Sequence, residues 1–249
     1  MWLALSLLAT SSALSLLATS SDYCGARYDA SLLAVRQSPT CDGVGVFAVR
    51  DVPPRARLAE IPLAACVTAA AAEAALPRVA ARRAKLLAKG KRRRADGYAA
   101  RRDATRALLA RLRHASADEP LAAYAQSLPW VDDADDIPER WLAETRRCAE
   151  LADASEARAW GAVRLARSRA FDLGERGPAL VPFLDLFNHP TPGTADACVA
   201  WRVDGGAVVV VDAPDAATPA GSELWNWYGD ADEPREREAF IENFGFDPG

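Results

Sequence analysis

Hydrophobic positions recur every second residue near both ends of the chain and at helical spacing in the middle. Gly43 and Gly45 open an alternating, β-branched run from Val44 to Val49, and Asp51 to Arg55 form a Pro-Pro turn. Arg57 to Ile61 and Ala64 to Val67 read as further short strands. From about 69 to 170 the chain becomes rich in Ala, Leu and Arg, and the spacing predicts helices. Leu76, Val79, Leu86 and Leu87 are placed on one stripe, and Leu108, Leu109 and Leu112 on the next. Further helices are predicted over Pro120 to Leu128, from Pro138 with Asp136 as its cap, and from about Ser155 to Phe171.

After the loop "DLGERGP" the β pattern returns, at Ala179 to Leu184, Ala197 to Val203, Ala207 to Val211 behind the Gly205-Gly206 turn, and Leu224 to Tyr228. The ending, "PREREAFIENFGFDPG", reads as a short helix and an apolar tail. Strands at both ends around a helical block imply one β unit split by an insertion. Two independent domains in sequence would not give this order.

The chain has 249 residues, half of them apolar, enough for a sizeable core. A formal net charge of −4 gives no global attraction to nucleic acid, and stable nucleic-acid binding is not expected. Between Arg78 and Arg113, however, fourteen Lys or Arg face only Asp96 and Asp103. Two readings stand: a solvated helical face, or a local patch for an acidic partner or nucleic acid, which would need interleaved aromatics that only Tyr98 offers. Five scattered cysteines without a C-x-x-C or Cys/His cluster predict thiols rather than a zinc site or disulfide framework. A metal site on Asp185 and His189 is not expected, because His114 is the only other histidine.

The first 21 residues carry "ALSLLATSS" twice, at 4–12 and 13–21. Apolar, uncharged and ending in small residues, they read either as a signal or organelle-targeting leader or as a disordered or wrongly assigned start. A leader would direct the chain to a secretory or plastid route, and without one it would be cytoplasmic. No membrane span is expected in the mature chain.

Three clusters combine polar and aromatic residues. "DGVG" has two glycines that let backbone approach a ligand closely. "RSRAF" precedes "LVPFLDLFNHP", an apolar run ending in Asn188-His189 before a proline. "GSELWNWYGD" reads as a strand ending in a tyrosine before glycine. Each also has a plain structural reading: Tyr228 as a half-buried aromatic, Asn188-His189 as an ordinary turn.

Their order closely resembles that of the SET-domain lysine methyltransferases, in particular the branch containing the Rubisco large-subunit methyltransferase and its actin-histidine and non-histone relatives. The matching segments are "DGVGVFAVRDV", "LAEIP", "WGAVRLARSRAF", "LVPFLDLFNH" and "GSELWNWYG", with "LPWVDDADDIPERW" alongside. The resemblance covers about 41 to 249. It implies an α+β fold, the SET-domain β-clip of short strands with a pseudoknot, over about 30–249, interrupted by a helical insertion (iSET) at about 69–170. The helical C-terminal substrate-binding domain usual in that branch is not expected in this chain.

The resemblance also implies the activity: transfer of a methyl group from S-adenosyl-L-methionine to a lysine nitrogen of a protein substrate. The alternatives are a catalytically silent binding module and a histidine methyltransferase. It places Asp42, Gly43, Val44, Arg169, Asp185, Asn188, His189 and Tyr228 around the cofactor, with Tyr228 catalytic. Trp227 and Phe244 would line the substrate channel. For Asp185, tying down the turn is an equal alternative. The chemistry suits these residue types: Arg169 offers a planar fork for a carboxylate, and a phenol can orient an amine beside a methyl donor. The sequence departs from the family's pattern where Phe244 replaces the usual tyrosine before "GF" and Ser222 the usual glutamate.

Overall fold

The computed structural model describes residues 22–40, 43–119, 121–130, 137–190, 198–228 and 238. The chain divides into two compact units, Met1–Ala65 with Pro182–Gly249, and Cys66–Val181. The first unit begins with strands β1 (Asp22–Tyr23), β2 (Ala26–Tyr28), β3 (Leu33–Gln37), β4 (Val44–Ala48) and β5 (Arg57–Pro62). The second holds helices α1 (Ala69–Ala75), α2 (Pro77–Ala88), α3 (Arg92–Ala95), α4 (Tyr98–Leu112), α5 (Ala122–Ser127), α6 (Glu139–Ala152) and α7 (Glu156–Arg169). It closes with the hairpin of β6 (Ala170–Asp172) and β7 (Pro178–Leu180). The chain then re-enters the first unit with β8 (Ala200–Asp204), β9 (Val208–Asp212) and β10 (Glu223–Leu224).

The first unit contains two antiparallel sheets, ordered β1-β2-β5-β9-β8 and β10-β4-β3. In each, strands from before the helical unit pair with strands from after it. The four valines Val208 to Val211 explain why β9 sits between β5 and β8: β-branched side chains suit a pleated surface packed on both sides. Ile61 and Val203 flank Val209 on the two neighbouring strands. Gly205 and Gly206 turn β8 into β9 at φ of 53° and 71°, values L side chains rarely adopt.

The segment leading to Asn188 is core, not strand. Phe183, 0 % exposed, stacks on Tyr28 at 4.6 Å between ring centroids and meets Phe187 edge-on at 5.6 Å. Its φ of 70° turns the chain into a short 3-10 helix, Leu184–Leu186. The expected strand from Ala179 to Leu184 therefore stops at Leu180. The expected strand from Ala64 to Val67 is a 3-10 turn, Leu63–Ala65, with Val67 alone bridging to Leu180. Leu224 to Tyr228 is strand only at its first residue, because Trp225 makes single bridges to Asn188 and Cys198 instead of extending the ladder. Strands β1 to β3 are additions that the sequence pattern did not suggest.

In the helical unit, Thr68 Oγ1 accepts from the Ala71 amide at 3.1 Å, and Ser155 Oγ from that of Arg158 at 3.3 Å, capping α1 and α7. Pro77 opens α2 at a position where its missing N–H costs nothing. Helix α4 is buried from Asp103 to Ala110. Its charges survive burial by pairing with α6: Arg106, 3 % exposed, and Arg102 both bind Glu144, while Arg147 reaches Asp103 at 2.8 Å. The basic segment thus splits. Arg82, Arg83 and Arg111 hold acidic partners, whereas Lys85, Lys89, Lys91, Arg93 and Arg94 are exposed. Leu87, expected on the α2 stripe, is 37 % exposed.

The described cysteines form no disulfide; Cys66 and Cys148 are buried, and burial pushes the Cys148 thiol up to about 12. Among the described residues no helix is long and apolar enough to cross a membrane. The 1–21 segment, Cys41, the Asp136 cap and, Glu238 apart, the C-terminal tail lie outside the described residues.

Replacing Phe183 by Ala should destabilise the first unit by about 3–5 kcal/mol, because a filled aromatic site becomes a cavity. A denaturant midpoint equal to that of the unchanged chain would contradict this packing.

Candidate functional site

Strand β4 organises the candidate site. It lies between β3 and β10, with Val46 opposite both Val35 and Leu224. The loop joining β3 to β4 is closed by the Ser38 amide donating to the Gly43 carbonyl at 2.9 Å. The two glycines of this segment do different things. A Cβ on Gly43 would meet nothing within 4 Å, so that backbone borders open space. A Cβ on Gly45 would lie 2.0 Å from Glu223 Oε1 and 2.9 Å from Asn188 Nδ2. Gly45 is therefore glycine because two side chains pass over its backbone.

Those side chains meet above β4. Asn188 Nδ2 donates to the Val44 carbonyl at 3.1 Å and to Glu223 Oε1 at 2.8 Å. The other carboxylate oxygen of Glu223 accepts from Ser38 Oγ at 2.9 Å. The Asn188 carbonyl in turn accepts from the Asn226 amide at 2.8 Å, which ties the Asn-His turn to the segment after β10.

Tyr228 and His189 form a second clasp. The Tyr228 backbone N–H donates to His189 Nδ1 at 3.2 Å, and its hydroxyl donates to the Phe187 carbonyl at 2.8 Å. Since Nδ1 accepts, the neutral ring carries its proton on Nε2. Burial moves the His189 pKa below its ordinary value, which favours that neutral form. The rings of Trp227 and Tyr228 lie 5.0 and 5.3 Å from that of His189. Trp227 is 43 % exposed, an uncommon state for the largest side chain in a folded unit.

The first unit thus brings Gly43, Val44, Asn188, His189, Trp227 and Tyr228 around one strand end and one turn. Asp185 is buried in the 3-10 helix just before that turn. Arg169 ends α7 and belongs to the other unit. Asp42 and Phe244 lie outside the described residues. Sequence reasoning missed Glu223 and Ser38 as members of the site. The available signals were a second glycine without a turn to serve and an acidic residue inside an otherwise apolar strand. Among the described residues no group of three or more His, Cys, Asp or Glu could hold a metal ion.

No family model matches the sequence, and no curated protein does. Solved structures do match it. The SET domain of LSMT bound to lysine and AdoHcy superposes with a TM-score of 0.65 at 16 % identity, over 97 % of this chain and 57 % of that one. Rubisco LSMT bound to sinefungin and monomethyllysine gives 0.61 at 16 % identity, over 96 % and 56 %. Rubisco LSMT bound to AdoMet gives 0.57 at 16 % identity, over 88 % and 52 %. The fold is that of a SET domain, a mixture of helices and short strands that form no closed barrel among the described residues. This chain spans a little over half the length of these structures.

Protonating His189 removes the acceptor at Nδ1 and breaks its bond from the Tyr228 amide. The depressed folded-state pKa sets the sign: this contribution is complete above the ordinary histidine value near 6.5 and is lost as pH falls from there through the folded value. Thermal stability should therefore drop on acidification below about pH 6.5, and His189→Gln should flatten that part of the profile. An equal slope in both proteins would refute the assignment.

Proposed function

We propose that this chain is an S-adenosylmethionine-dependent protein methyltransferase acting on a lysine side chain. The observation that carries the reading is the Tyr228–His189–Asn188 arrangement, in which a phenol from the segment after β10 is clasped against the imidazole and oriented amide of one turn of a SET fold. Matched structures of this fold hold AdoMet, AdoHcy or sinefungin, and three of them hold lysine or a methylated lysine.

The residues fit that cofactor on their own chemistry. Open space over Gly43 allows a ligand to lie against backbone beside Val44. Both protons of the Asn188 amide are held by the protein, which leaves its Oδ1 as the group offered to a ligand amine. Arg169 has the fork that a ligand carboxylate requires, and we assign it that role, while Asp42 is assigned to the cofactor through its backbone. When bound, S-adenosylmethionine supplies an electrophilic methyl group on a sulfonium cation, whose charge also lowers the pKa of a nearby amine.

Tyr228 has one proton, and it goes to Phe187. A phenol oxygen also accepts, so it can take an N–H of a lysine amine and direct the nitrogen's lone pair along the transfer axis. His189 holds the Tyr228 backbone in place through Nδ1. The exposed indole of Trp227 supplies an apolar wall for a lysine stem, and Phe244 is assigned the same role in the channel. Asp185, buried in the 3-10 helix before the turn, is assigned to the cofactor region or to holding that turn.

Labelled S-adenosylmethionine should transfer methyl to a protein in a cell extract. Tyr228→Phe should lower turnover roughly a hundredfold while leaving S-adenosylhomocysteine affinity within about threefold. Calorimetry that finds no S-adenosylhomocysteine binding, with no labelled product, would sink the reading. Binding without transfer to any protein or peptide would instead favour a silent SET-fold binding module.

A further inference from the structure

We propose that Glu223 is a positioning residue: it fixes the Asn188 side-chain amide so that Oδ1, not the NH₂ group, faces a cationic amine on the ligand. The ligand half of this statement rests on the cofactor reading above. The orientation half does not, and it can be measured without ligand.

The orientation follows from acceptor chemistry. The Val44 carbonyl only accepts hydrogen bonds, and a carboxylate only accepts them. Both lie within bonding distance of the same Asn188 atom, at 3.1 and 2.8 Å, so that atom is nitrogen and both its protons are engaged. A flipped amide would set oxygen against two oxygens. Oδ1 accepts no hydrogen bond from the described residues, so the amide ends in a pure acceptor. An acceptor suits an ammonium group; an unrestrained amide would offer the wrong end in part of the molecules.

Glu223 is itself held. It is 8 % exposed, and Ser38 Oγ, on a side chain 5 % exposed, donates to its second oxygen at 2.9 Å. Thr40 supports that hydroxyl twice, by its backbone N–H at 3.2 Å and by its own hydroxyl at 3.0 Å. Three segments far apart in sequence, at 38–45, 188 and 223, therefore converge on one amide. Gly45 is the space that admits them, since any side chain there would occupy the position of Glu223 Oε1. A methyl group at 45 would lie 2.0 Å from Glu223 Oε1 and 2.9 Å from Asn188 Nδ2, both ends of side chains, with Glu223 much the more crowded. Gly45→Ala should thus evict the carboxylate without demanding a backbone change.

The test compares the unchanged chain with Glu223→Ala, Glu223→Gln, Gly45→Ala and the double variant Gly45→Ala/Glu223→Ala. Without ligand, NMR follows exchange of the Asn188 side-chain NH₂ protons, identified by their disappearance in Asn188→Asp. With ligand, calorimetry uses S-adenosylhomocysteine and its analogue lacking the α-amino group. Exchange should quicken at least tenfold in Glu223→Ala and in Gly45→Ala. It should stay slow in Glu223→Gln, whose carbonyl oxygen still accepts from Asn188 while the Ser38–Thr40 hydroxyl pair reverses to accept its NH₂. Affinity for S-adenosylhomocysteine should fall about tenfold in the first two variants, and the analogue should change less than twofold. The double variant should bind no worse than Gly45→Ala, because both changes remove the same carboxylate contact.

Unchanged exchange in Glu223→Ala, or an equal loss for both ligands, would overturn the proposal. Slow exchange in the unchanged chain with no S-adenosylhomocysteine binding would uphold the orientation and overturn the cofactor reading instead.

Discussion

One side-chain amide has two protons, and in this fold both are spent inside the protein. Asn188 gives them to the Val44 carbonyl and to Glu223, and its own backbone carbonyl takes the Asn226 amide. Three chain segments, two of them already neighbours as β4 and β10, are thereby fastened at one point. Glu223 and Ser38 are buried there, and a buried polar group left unpaired costs on the order of 1–3 kcal/mol, so the arrangement holds together or fails together. The open backbone at Gly43 and the crowded one at Gly45, two residues away, are the two sides of the same construction.

Much of this site could be read from the chain. Asn188-His189 before a proline, and a tyrosine before a glycine, are polar endings on apolar runs, and such endings are visible without coordinates. Glu223 was harder to see, because its role depends on a partner 35 residues away and on a missing Cβ at 45. The plain strand reading of Leu224 to Tyr228 failed for a related reason: the backbone groups after Leu224 go to the Asn188 carbonyl and the His189 ring, not to a neighbouring strand. Strands β1 to β3 were missed because they are two, three and five residues long, too short for a period of two to stand out in the sequence.

The helical unit shows the limits of stripe counting. Helix α4 is buried nearly all round, and a helix with no solvent face has no stripe to find. Its arginines look like surface residues in the sequence, yet Arg106 is 3 % exposed because Glu144 on α6 meets it. A charge paired inside a helix pair fixes which faces meet, which apolar contacts alone do loosely. The run from Lys85 to Arg94 mixes exposed bases with a residue, Leu87, that spacing alone would bury.

The strand orders carry a consequence for how the polypeptide matures on the ribosome. Strands β4 and β5 are made early, but the neighbours on their second edges, β10 and β9, lie on the far side of the entire helical unit. Until more than a hundred further residues have emerged, both edges are bare ladders of amide and carbonyl groups, open to any passing strand. The nascent chain therefore spends most of its synthesis with two half-built sheets, and Glu223, on the strand that finishes one of them, is also a partner of Asn188.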